Sequence, residues 1–190
     1  MRIIKDKDPI FETEKYDVIL VGTSIYSTLY NGFQGKMANK YPYIVEENNK
    51  QSYADSRRLG TRITIERKNS PTISLLYICR YPIKMRLTLD YAALKQCLET
   101  AALEFKNKRI LTTVLGGTIF DGKGNKKRVL SIMSKAFEGL DVDVYDYKQT
   151  NIKEETKVKR KELTEIGVID SQKRIEILKQ LYLIPSDGKK

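Results

Sequence analysis

The chain contains no histidine, and that absence excludes a large share of hydrolase chemistry. A His general base, a Ser-His-Asp triad, an HExxH metalloprotease and every His-containing zinc site are ruled out. Catalysis would have to use Asp, Glu, Lys, Tyr, Cys, substrate groups or a bound metal. Cysteine is scarce: Cys79 and Cys97 make neither a CxxC pair nor a four-ligand zinc set, and they read as two buried thiols in a reducing compartment. No metal site and no cofactor are expected. Long apolar runs are missing too, since the longest uncharged one, Ile73-Ser74-Leu75-Leu76-Tyr77-Ile78-Cys79, is roughly a third of a membrane span. The start, Met1-Arg2-Ile3-Ile4-Lys5-Asp6-Lys7-Asp8, has no apolar h-region. These absences predict a cytoplasmic protein with no membrane partner.

Acidic residues are outnumbered, 24 Asp+Glu against 35 Lys+Arg, for a formal charge of +11 over 190 residues. An excess of this size raises nucleic acid as a partner, because a basic face neutralises phosphates and releases counterions. The excess is dispersed, however: residues 1–147 carry 24 basic and 17 acidic side chains, and residues 148–190 carry 11 and 7. The tightest cluster, Lys157-Val158-Lys159-Arg160-Lys161, is flanked by Glu154, Glu155, Glu162 and Glu165, as on a solvated helix face. With 41% apolar and 31% charged residues the composition is that of a soluble globular chain able to bury a core.

Strand-like and helix-like patterns alternate. Residues 16–21 form a short apolar run ending at Gly22, as expected of a central strand covered on both faces. A helix is predicted over 32–40, stopped by Pro42. Residues 61–66 alternate with period two and 72–79 are β-rich, and Asn69-Ser70-Pro71 between them predicts an antiparallel hairpin. Asp90 opens the clearest helix, with Ala93, Leu94, Cys97, Leu98, Ala101, Ala102 and Phe105 on one stripe. A strand over 109–115, a helix over 125–137 and a last strand over 142–147 follow. The pattern predicts an α/β layered sheet, mixed at one edge, in a domain spanning 1–147. Beyond it, 148–190 reads as a charged linker and an amphipathic helix carrying Ile175, Leu178, Leu181 and Tyr182, an interaction tail that packs in cis or on a neighbouring subunit.

In open α/β sheets ligands bind at the carboxyl ends of strands, where helix N-termini present N–H groups. Two strand-to-helix loops qualify. The first, over 22–32, offers Gly22, Ser24, Ser27, Asn31 and Gly32, and the second, over 116–124, offers Gly116, Gly117, Thr118 and Asp121. Four glycines after one strand would let backbone amides approach a phosphate, although neither loop matches GxGxxG or GxxxxGK[ST].

The order of elements, the first loop with Tyr41-Pro42 after its helix, the segment Asp55-Ser56-Arg57-Arg58-Leu59-Gly60-Thr61, the helix start Leu89-Asp90-Tyr91 and the glycine loop from Gly116 together resemble the macrodomain family over residues 16–147. The likeness is to its compact phage and bacterial branch, which binds ADP-ribose or removes phosphate from it. That resemblance implies a three-layer α/β/α mixed sheet, to which the 148–190 pattern adds a C-terminal helical extension, and an ADP-ribose pocket between the two loops. It also shows departures. Ser24 and Ser27 stand where the family has an Asn-rich segment, Tyr30-Asn31-Gly32 replaces a Gly-Ala-Gly-like turn, and Ile119-Phe120 puts bulk where small residues are usual. Asp17 lies too early on its strand to match the family's adenine-binding acid.

Three functions are expected in order. The first is a macrodomain-like structural or assembly protein without catalysis, in a phage virion neck or tail ring, held by neighbouring subunits through the 148–190 tail. The second is an ADP-ribose-binding or ADP-ribose-processing enzyme, a phosphatase or ADP-ribosyl hydrolase in which Asp121 is the acid placed to act as a base. The third is a nucleic-acid-binding module using Lys123, Lys126, Lys127 and Arg128 with tyrosines as stacking platforms.

Overall fold

In the computed structural model the described residues are 1–26, 29, 32–80, 88–117 and 122–146. The 148–190 tail expected as a linker and helix lies outside them, as do Ser27, Tyr30, Asn31, Thr118, Phe120 and Asp121 of the two loops. The strands are β1 (Arg2–Lys5), β2 (Val18–Ser24), β3 (Arg62–Ile65), β4 (Thr72–Cys79), β5 (Ile110–Thr113) and β6 (Val142–Asp146). The helices are α1 (Gly32–Lys40), α2 (Tyr43–Asn49), α3 (Tyr91–Glu104) and α4 (Lys126–Ala136). The six strands form one sheet in the order β1-β6-β5-β2-β4-β3. Every neighbouring pair is parallel except β3 with β4, as the hairpin signal predicted.

β2 reads as a continuous apolar run because both of its faces are covered. Val18 and Leu20 point into one apolar cluster with Leu76, Ile78, Ile110 and Val144, under the α3 stripe of Leu94, Leu98 and Ala101 and under Val129 and Met133 of α4. Ile19 and Val21 point into the other, with Ile73, Leu75 and Leu111 under Phe33 and Met37 of α1 and Ile44 of α2. The strand period of two thus splits the core into two apolar layers with the sheet between them, a three-layer α/β/α arrangement. α3 begins where Asp90 accepts from the backbone N–H groups of Ala92 and Ala93, both at 3.0 Å, and Asn125 caps α4 by accepting from Arg128 N at 3.1 Å.

Two elements lack a sequence signal. β1, an edge strand beside β6, and α2, which starts immediately after Pro42, were absent from the expected order. β5 ends at Thr113, two residues before the predicted strand does, although Val114 and Leu115 remain 1% exposed. No helix among the described residues is long and apolar enough to cross a membrane.

Both cysteines are buried, as predicted: Cys79 is 2% and Cys97 0% exposed. Cys97 Sγ donates to the Thr61 carbonyl at 3.2 Å, and burial pushes its thiol up to about 12. Since the thiolate is the reactive form, a disulfide reagent at pH 8 is expected to leave Cys97 untouched in the native protein and to titrate both thiols after unfolding. Prompt native reaction of Cys97 would contradict this burial.

Candidate ligand site at the β2 and β5 carboxyl ends

The strand order fixes where a ligand crevice can open. The chain leaves β2 through α1, α2 and β3 and returns to β4 on one side, whereas it leaves β5 through α4 and returns to β6 on the other. β2 and β5 are neighbours, paired from Val18↔Ile110 to Leu20↔Thr112. Connections that part company between adjacent parallel strands define a topological switch point, open at the strands' carboxyl ends. Both loops chosen from the sequence start there, and Gly22 lies beside the residue that precedes the second: a Cβ built on Gly22 would come 3.3 Å from Leu115 Cδ2 and 2.8 Å from Ile78 Cδ1 of β4. Glycine at position 22 therefore has a packing reason.

The first loop is anchored at its entry. The β2/β4 register shifts between Thr23 and Ser24, Ile25 N donates to Cys79 O at 3.1 Å, and Ser24 Oγ accepts from Tyr26 N at 3.3 Å. Ser24 is 4% exposed. At the exit Gly32 has φ +56°, a left-handed conformation that glycine adopts without a Cβ penalty. It begins the nine-residue α1, which has no acidic residue in its first turn and whose positive dipole end favours an anion.

In the second loop most of the glycines are explained by one side chain. Leu89 Cδ1 would lie 2.5 Å from a Cβ on Gly116, Leu89 Cδ2 2.4 Å from one on Gly124, and Leu89 Cβ 3.0 Å from one on Gly122. Leu89 itself pairs back on Cys79 in an isolated antiparallel bridge. Two of the amides expected to face a phosphate are spent inside the loop, Gly117 N on Val114 O at 3.0 Å and Gly124 N on Gly116 O at 2.7 Å.

The entry of the first loop is also held by a buried cluster that carries no motif. Arg58, only 8% exposed, donates to Ile25 O at 3.2 Å, to Ser52 O at 2.6 Å and to Asn48 Oδ1 at 3.3 Å. Its guanidinium lies 3.9 Å from the centre of the Tyr77 ring, and Tyr77 Oη also donates to Asn48 Oδ1 at 2.8 Å. Burial pushes the Tyr77 hydroxyl up, so it stays a donor. Arg58 lay in a segment already singled out, whereas Asn48 and Tyr77 gave no signal beyond amphipathic and β-rich pattern.

Of the predicted ligand residues, Gly22, Ser24, Gly32, Gly116 and Gly117 are brought to this end of the sheet; Ser27, Asn31, Thr118 and Asp121 lie outside the described residues. Asp17 sits at the opposite end, where its carboxylate accepts from Arg109 N at 2.8 Å. The basic set beside the second loop is engaged in part: Lys126 Nζ pairs with Asp146 at 2.6 Å, and Arg128 stacks 4.0 Å above Tyr91. Among the described residues no group of three or more His, Cys, Asp or Glu side chains could hold a metal ion.

No protein-family model and no curated protein matches the sequence. Solved structures do match. A Bacteroides thetaiotaomicron protein of unknown function aligns at 17% identity over 77% of this chain and 98% of its own, with a TM-score of 0.61. The macrodomain of Mycobacterium tuberculosis DarG aligns at 16% identity over 78% and 98%, with a TM-score of 0.60. Thermosipho africanus DarTG, solved in complex with ADP-ribose, aligns at 12% identity over 78% of this chain and 42% of its own, with a TM-score of 0.60. At these identities the likeness is one of fold: the chain has the mixed six-stranded α/β architecture of macrodomains.

Proposed function

We propose that this macrodomain-fold chain binds ADP-ribose or a closely related nucleoside diphosphate sugar in the crevice between the β2 and β5 loops. The observation that carries the reading is the switch point, which places two glycine-containing loops and the N-terminus of α1 side by side at the carboxyl ends of adjacent parallel strands. The diphosphate would lie against the α1 N-terminus, where backbone N–H groups and the helix dipole favour negative charge. Gly22, Ser24, Ser27, Asn31 and Gly32 would line it on one side and Gly116, Gly117 and Thr118 on the other. The Thermosipho protein, 42% of which aligns with this chain, was solved in complex with ADP-ribose, which supports this ligand class.

Calorimetric titration of the full chain with ADP-ribose is expected to give one saturable site. No heat and no thermal shift at millimolar ligand would overturn the reading. Catalysis is a separate question that Asp121 decides. Release of phosphate or of ADP-ribose from a conjugate, abolished in Asp121→Asn with binding retained, would make the protein a hydrolase; binding without turnover would leave a reader of ADP-ribose. A structural role is favoured by one feature, the packing of Leu89 into the glycine loop. The phage-particle assignment and the 148–190 interaction tail remain proposals, for which native mass spectrometry of the full chain is expected to show more than a monomer.

A further inference from the structure

We propose that Arg58 is the positioning residue of this site, setting the geometry of the first loop for ligand; the inference rests on the ADP-ribose reading above. The Ile25 peptide, where the loop leaves β2, is gripped from both sides. Its N–H donates to Cys79 O at 3.1 Å, and its carbonyl accepts from Ala54 N at 3.0 Å and from Arg58 at 3.2 Å. The same guanidinium reaches Ser52 O and Asn48 Oδ1, so a single planar cation joins the loop entry, the end of α2 and the segment between α2 and β3. Its plane is fixed by the Tyr77 ring of β4.

Burying a guanidinium is costly, and an apolar side chain of similar size often stabilises a core as well or better. A charge retained at 8% exposure, and bonded to the backbone of a loop at the switch point, is better explained by what it holds than by stability. Lysine cannot replace it, because one ammonium lacks the rigid fork and the flat face for stacking. Ala54 adds to the case: with φ +55° it takes a conformation disfavoured for alanine, and it does so while donating to the same Ile25 carbonyl. Strain retained at a loop anchor is a mark of a functional constraint.

Two variants of the full chain separate position from charge. R58K keeps the charge and loses the fork; N48D keeps an acceptor for the fork and sets a carboxylate against the charge. At a temperature where circular dichroism shows both folded, R58K is expected to weaken ADP-ribose binding at least tenfold, on the order of 1.4 kcal/mol, and N48D to change it less than threefold. Amide exchange over residues 22–26 is expected to quicken at least tenfold in R58K and to stay unchanged in β6. Retained affinity and exchange in R58K would overturn the inference, as would an equal loss in N48D, which would assign the effect to charge. If the wild type gives no heat, the ligand reading fails on its own and the exchange comparison alone decides whether Arg58 anchors the loop. Should R58K not fold, Y77L removes the stacking face with a core-compatible side chain and carries the same expectations.

Discussion

Gly124→Ala is expected to destabilise the protein by about 1–3 kcal/mol, the usual cost of forcing a carbon into a filled site, as read from the denaturant midpoint at unchanged m-value. The added Cβ would lie 2.4 Å from Leu89 Cδ2 and 2.8 Å from Gly116 O. A leucine tip can rotate away, but a backbone carbonyl already accepting from Gly124 N at 2.7 Å cannot move without dragging the loop. Gly116→Ala is expected to cost more, since its φ of +66° adds roughly 1–2 kcal/mol for a left-handed alanine to the contact with Leu89. Gly139 supplies the control: its φ is +74° with nothing within 4 Å of a built Cβ, so Gly139→Ala should cost only the conformational part. In a Leu89→Ala background the Leu89 share of the Gly124→Ala cost should vanish, a coupling that a double-mutant cycle reads directly. Strict additivity would mean that Leu89 is not what demands glycine.

That packing logic explains what the sequence could and could not disclose. α1 and β4 begin and end where their patterns place them, because each is bounded by strong local signals: Gly32 and Pro42 around one, Pro71 and the end of an apolar run around the other. α3 carries its stripe on the buried side as spaced. β1 escaped because a four-residue edge strand with Arg2 and Lys5 at its ends shows no alternation and takes its pairing from β6 alone. α2 escaped because Pro42 reads in the sequence as the stop of α1, although proline is well suited to begin a helix. The site was legible as a place, two loops after two strands, but its chemistry was not. Glycine signals close approach of something, and sequence cannot say whether that something is a phosphate or Leu89. Arg58 was hidden for a deeper reason: its acceptors Ile25, Ser52 and Asn48 lie 33, 6 and 10 residues away, and an arginine in a polar stretch looks solvated until the chain closes around it.

The other end of the sheet carries the second large effect. Asp143→Asn is expected to cost about 2–3 kcal/mol at pH 7, in the range of a buried hydrogen bond to a charged group with its neighbours left unsatisfied. Asp143 is 3% exposed on its side chain and accepts from Arg2 Nε at 2.6 Å and Tyr16 Oη at 2.8 Å, with Arg109 at 3.7 Å. Tyr16 Oη also meets Tyr145 Oη at 3.0 Å, and Arg109 lies 4.7 Å from the centre of the Tyr16 ring. Arg2, Tyr16, Arg109 and Asp143 lie at the amino ends of their strands or just before them, with Tyr145 further along β6, so one carboxylate ties β1, the entries to β2 and β5, and β6 together. Burial pushes the Asp143 carboxyl up, but the hydrogen bonds from Arg2 and Tyr16 and the charges of Arg2 and Arg109 outweigh it and hold it below the usual carboxylate range. A folded pKa below the unfolded one gives stability that is complete above the unfolded value of about 4 and is lost as pH falls through the folded value. The wild type should therefore lose stability on acidification, and Asp143→Asn should lose less, so that the gap between them narrows at low pH. A gap of constant size from pH 7 to the acid limb would show that the carboxylate's charge is not what is being used. ADP-ribose affinity at pH 7 should be unchanged in this variant, because the network stabilises the amino ends of the strands and the ligand is assigned to the carboxyl ends. A parallel loss of affinity would instead mean that the two ends of the sheet are energetically coupled.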